Sequence, residues 1–89
     1  MLPAPIDVRG HRQALKDHVL GELKERLSLQ GISGRDLWVS LGYCEDQYVT
    51  LVVDASMVGD VTYDILEGMC NELQAALEAA GHEVDIILR

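Results

Sequence analysis

Between Asp36 and Leu88 the chain has no lysine and no arginine. Eleven carboxylates occupy the same stretch: Asp36, Glu45, Asp46, Asp54, Asp60, Asp64, Glu67, Glu72, Glu78, Glu83 and Asp85. Six of the seven basic side chains (Arg9, Arg12, Lys16, Lys24, Arg26, Arg35) lie in the first 35 residues, beside Asp7, Asp17, Glu22 and Glu25. The front segment is therefore +2 and the remainder, with Arg89 as its only base, −10, which gives the formal net charge of −8. A surface of that sign repels nucleic acid and anionic membrane and attracts cations or a basic protein.

Other scarcities narrow the class further. No aliphatic run exceeds three residues, Leu51-Val52-Val53 being one, whereas a membrane span needs about 20. Met1-Leu2-Pro3-Ala4-Pro5 has neither a basic n-region nor an apolar core, so no secretory leader is expected. The two cysteines, Cys44 and Cys70, form no CxxC or zinc-type cluster, and free thiols in a reducing cytoplasm are the expectation. Both prolines fall within residues 1–9, which read as an irregular lead-in to one domain over residues 10–89. With 48% hydrophobic and 25% charged residues, the composition is that of a globular protein rather than a disordered acidic tail.

Hydrophobic periodicity supplies the elements. From His11 to Gln30 the positions Leu15, Val19, Leu20, Leu23 and Leu27 recur at helical spacing, and Gly31 stands where a left-handed cap ends such a helix. Asp36–Gly42 alternates, with Leu37, Val39 and Leu41 on one face and Trp38 and Ser40 on the other. Tyr48–Asp54 repeats this with Val49, Leu51 and Val53 against Tyr48, Thr50 and Val52. The polar residues Tyr43–Gln47 read as the hairpin loop, which pairs Leu41 with Val49, Val39 with Leu51 and Leu37 with Val53. On the opposite face, Trp38 then aligns with Val52 and Ser40 with Thr50.

Asp60–Ala80 is the strongest helical pattern, with Val61, Ile65, Leu66, Met69, Cys70, Leu73, Ala76, Leu77 and Ala80 on one side. Gly81 closes it, and Val84, Ile86 and Leu88 alternate through a last strand. The order α-β-β-α-β predicts an α+β two-layer sandwich: a mixed three-stranded sheet with two helices on one face and a right-handed final crossover. A further strand over Ile6–Arg9 would make the arrangement ferredoxin-like, β-α-β-β-α-β.

Two helices cover one face of such a sheet and leave Trp38, Tyr48, Thr50, Val52 and Ile87 on the other. Tryptophan and tyrosine are enriched where interfaces draw most of their energy, so these five residues are the expected contact surface. The competing expectation is that the N-terminal segment, with Leu2, Ile6 and Val8, covers them. Asp60, Asp64, Glu67 and Glu78 form a stripe along the second helix with no basic partner on that helix. It reads either as a solvated face or as a surface that steers a basic partner. Asp54, Asp60 and Asp64 form the alternative, a carboxylate site for a divalent cation in a metal-assisted enzyme. No nucleophile, base or phosphate-cradling loop accompanies them. His11 and His18 lie seven residues apart, too far along a helix to share one ion.

Two stretches carry family likenesses. Tyr48 to Leu77, with Val53-Asp54 and Gly59-Asp60-Val61-Thr62-Tyr63-Asp64 before a leucine-rich helix, resembles the N-terminal domain of ribosome maturation factor P. That resemblance implies helices on a small sheet and binding to a ribosomal protein or subunit precursor. Leu77 to Leu88, with Gly81-His82-Glu83-Val84-Asp85-Ile86-Ile87-Leu88, resembles the tail of small nucleotidyltransferase-fold domains. That family's chemistry needs a Gly-Ser turn and paired aspartates, where this chain has Ser40-Leu41-Gly42 and a lone Asp54.

The expectation is thus a cytoplasmic, homodimeric, non-enzymatic binding domain without cofactor. It would use no catalytic residue and no direct contact with nucleic acid or membrane, and would engage a basic protein as an inhibitor or immunity-type component does.

Overall fold

The structure is a computed structural model and describes residues 8–89. Its elements are α1 (Val8–Leu29), β1 (Trp38–Glu45), β2 (Tyr48–Asp54), α2 (Asp60–Ala79) and β3 (Val84–Leu88). The sheet order is β1-β2-β3, with central β2 antiparallel to β1 and parallel to β3. This is the expected α-β-β-α-β two-layer architecture. The conjectured strand over Ile6–Arg9 is not formed at its second half, because Val8 and Arg9 belong to the first turn of α1. Ile6 and the proposed N-terminal cover (Leu2, Ile6) lie outside the described residues.

One aliphatic core joins the layers. Leu15, Val19, Leu23 and Leu27 of α1 and Leu66, Met69, Cys70, Leu73 and Leu77 of α2 meet Val39, Val49, Leu51, Val53, Val84 and Ile86 of the sheet. The buried strand residues share one face, which places both helices on the same side of the sheet. Burying each large aliphatic contributes about 1.5–3 kcal/mol, so this side holds most of the stabilising area.

Both helices stop in the same way. Gly31 (φ 75°) and Gly81 (φ 94°) adopt left-handed backbone. In each case the glycine N–H donates to the carbonyl three residues back, Ser28 or Glu78. The next N–H, of Ile32 or His82, reaches the carbonyl of Leu27 or Leu77 at 2.9 and 3.0 Å. These paired bonds satisfy carbonyls that the helix leaves free. A Cβ at either position meets no atom within 4 Å, so the cost of Gly81→Ala is conformational alone. Thermal unfolding is expected to show a loss of about 1–2 kcal/mol, and a loss of a few tenths would mean the cap relaxes.

The hairpin departs from its expected register. β1 continues through Tyr43, Cys44 and Glu45, and the turn is only Asp46-Gln47 between the paired Glu45 and Tyr48. Asp46 takes left-handed backbone (φ 51°), which aspartate tolerates better than most side chains. Leu41 faces Leu51, Val39 faces Val53, Ser40 faces Val52 and Trp38 faces Asp54, a shift of two residues from the expected pairing. A shift of two keeps every side chain on its face, so the hydrophobic pattern could not reveal it. Between Leu41 and Cys44 a bulge adds one residue to β1. The bulge resets the alternation: Cys44 turns toward the core, whereas Tyr43 remains exposed. Strict alternation would instead have buried Tyr43. It is this reset that makes residues 43–45 look like a loop in sequence.

Candidate functional site

Among the described residues, nothing covers the face of the sheet opposite the helices. Cross-strand partners share a face, so the pairings lay out its grid. Trp38 sits beside Asp54; Ser40, Val52 and Ile87 form a row; Thr50 sits beside Asp85; Glu45 sits beside Tyr48. Trp38 is 66% exposed and Ile87 41%, while Val52 and Tyr48 are half-buried. Thr50 is only 7% exposed and offers a partner almost no surface, so it drops out of the expected contact set. Its burial follows from its central position and from Gly42, whose absent side chain leaves space that Thr50 fills. The Thr50 Cγ2 lies 3.1 Å, and the Val52 Cγ2 3.3 Å, from where a Gly42 Cβ would stand.

The charges on this face are mostly negative. Glu45, Asp54 and Asp85 share it, and Arg89, which follows β3, is the base that acts on Asp54. The Ser56 N–H donates to Asp54 Oδ1 at 3.0 Å, and this bond, helped by Arg89, holds the Asp54 carboxyl below its usual range. Tyr43 donates its hydroxyl to Glu45 Oε2 at 2.9 Å, and the carboxylate raises the phenol above its usual range.

The carboxylates of α2 extend this field around the edge of the sheet. Asp60, Asp64, Glu67 and Glu78 are all exposed. Glu78 and Asp85 line one groove of about 520 Å³ at the β3 edge, while Glu67 lines another of about 250 Å³ beside Ile86 and Leu88. Between them Gln74 Oε1 accepts the Ile86 N–H at 2.9 Å, and Gln74 Nε2 donates to Glu78 Oε1 at 2.8 Å. A side-chain amide on an edge N–H discourages another strand from pairing there. This bond occupies one edge N–H of β3.

The other candidates separate. Among the described residues no group of three or more His, Cys, Asp or Glu side chains is placed to hold a metal ion, and Asp54, Asp60 and Asp64 do not form one. The tertiary fold brings His82 onto His11, with ring centroids 5.6 Å apart, beside a pocket of about 260 Å³ that His18 also lines. Sequence spacing carries no signal of that stack, because it joins the start of α1 to the cap of α2. Among the described residues no helix is long and apolar enough to cross a membrane.

Both cysteines are free. Burial pushes the Cys70 thiol up to about 11, so it stays protonated at neutral pH. It is expected to resist iodoacetamide in the native protein and to react once urea unfolds the chain; rapid native labelling would place it outside the core. Because its ordinary value is 9.0, the unfolded chain ionises first, and Cys70 withdraws stability as pH rises from about 9 to about 11.

Compared with known protein families, curated protein sequences and solved structures, the chain matches none of them.

Proposed function

We propose that this chain is a small acidic protein–protein interaction domain, not an enzyme, whose open sheet face docks a basic partner. One observation carries the reading: Trp38 stands two-thirds exposed on a face whose charged groups, among the described residues, are Glu45, Asp54 and Asp85 against Arg89. Exposed tryptophan on β1, diagonal to Val52, and Ile87 on β3 supply apolar contact area, and the surrounding carboxylates select a partner bearing lysine or arginine. The stripe of Asp60, Asp64, Glu67 and Glu78 raises the encounter rate of that partner more than the final affinity. An inhibitor or immunity-type component acting on a basic protein fits this surface, and so does a binder of a basic ribosomal protein.

The test is capture from a cell lysate on the immobilised chain, with elution by a salt gradient and identification by mass spectrometry. A basic protein released at moderate salt is the expected result. A partner retained without regard to salt, or an acidic one, would overturn the electrostatic part of the proposal.

A further inference from the structure

The open sheet face is narrow, and its layout limits what can dock there. Three of its apolar side chains, one from each strand, line up: Trp38 on β1, Val52 on β2 and Ile87 on β3. Val52 pairs with Ile87, and Trp38 stands one row further along, beside Asp54. They form an oblique stripe across the sheet, and Tyr48, two rows from Val52 toward the hairpin turn, lies off it. Neighbouring strands are about 4.8 Å apart, so the stripe spans about 10 Å from β1 to β3. An α-helix advances about 5.4 Å per turn and is about 10 Å across. Its apolar positions i, i+4 and i+7 therefore step over three strands at close to one turn per strand. A second sheet would need apolar rows repeated along each strand. Here the next row toward the turn holds buried Thr50 beside Asp85.

The two flanks of the stripe differ in charge. On one side lies Asp54, on which Arg89 acts. On the other lie Asp85, beside Thr50, and then Glu45, beside Tyr48. Among the described residues neither Asp85 nor Glu45 is ion-paired with a lysine or arginine. Arg12 reaches the hairpin turn at the Asp46 carbonyl, 3.5 Å away. A helix whose apolar stripe is bordered on one side by lysine or arginine matches this layout. Long basic stems lie along apolar surface and carry their charge out to a flanking carboxylate.

We propose that the element of the basic partner seated on this face is an amphipathic helix, laid across the three strands with its basic flank toward Asp85 and Glu45. The inference rests on the reading of the open face as the docking surface and names what docks. Trp38, Val52 and Ile87 receive successive turns, and the unequal flanks select one rotational setting of the helix.

The probe is a synthetic peptide of about 18 residues, long enough to form helix in water, with leucine at i, i+4 and i+7 and lysine along one flank. Trp38 is the only tryptophan of the chain, so its fluorescence reports binding to the full-length protein by a tryptophan-free peptide. A saturable blue shift is the expected result. A central proline, which breaks the helix, should weaken binding roughly tenfold or more. Asp85→Asn should weaken it about threefold at low salt, with the difference lost at high salt. Ile87→Ala should weaken it by roughly threefold to tenfold. Equal affinity for the proline peptide would mean that an extended segment docks instead, and would overturn the proposal. So would unchanged affinity in both Asp85→Asn and Ile87→Ala. A helical peptide that fails to bind, while a basic protein is still captured from lysate through Trp38, overturns the helix and leaves the docking surface standing.

Discussion

Leu51→Ala is expected to lower the unfolding free energy by about 3 kcal/mol, enough to move the melting temperature by roughly 15 °C. Leu51 is fully buried in the central strand, between Leu41 on β1 and Ile86 on β3. Both helices pack over this face, so the cavity left by truncation cannot collapse onto an open side. An 89-residue chain has a total stability of only about 5–13 kcal/mol, and one such loss is a large share of it. Urea unfolding followed by circular dichroism provides the measurement. Ile87→Ala on the open face is the comparison and should cost less than about 1 kcal/mol. Equal losses at the two positions would mean that both faces of the sheet are covered.

Trp38→Ala has the opposite profile. Its side chain is largely in solvent at the margin of the sheet, so stability should change by less than about 1 kcal/mol. Affinity for the basic partner should fall by about 30-fold, the roughly 2 kcal/mol expected when an aromatic anchor is removed. Surface plasmon resonance on the captured partner separates rate from affinity. Trp38→Ala should act on dissociation. Glu67→Gln with Glu78→Gln should slow association, and the difference should vanish at high salt. A Trp38→Ala variant that binds normally but melts far below wild type would reassign the indole to packing.

The two experiments probe the same asymmetry. A three-stranded sheet has two faces, and two helices suffice for one of them. That the helices share a face follows from burial: Val39, Val49, Leu51, Val53, Val84 and Ile86 are all withdrawn from water together. The remaining face keeps Trp38 and Ile87 exposed beside carboxylates.

Much of this was legible in the residues. Periods of 3.6 and 2 placed α1, β2, α2 and β3 to within a few residues, and Gly31 and Gly81 marked both helix ends. Those signals are local: each depends on whether a side chain lies on the same side as its neighbour three, four or two positions away. The charge division at Asp36 is likewise a property of the chain itself. So is the acidic stripe of α2, whose members fall on one line of any helix drawn from that sequence.

What only the tertiary structure decided involves partners far apart in the chain. The hairpin register moved by two because a two-residue slip preserves the faces, and the bulge at Gly42 and Tyr43 then set which of residues 43–45 points inward. Thr50 left the contact surface because Gly42 stands across from it, and His82 met His11 because a helix cap came to rest on the start of α1. Val61 is exposed, although its own helix assigns it to the apolar side. Periodicity shows which way a side chain points from its own element. Whether another element arrives to cover it is settled by the packing of the layers, to which every part of the chain contributes.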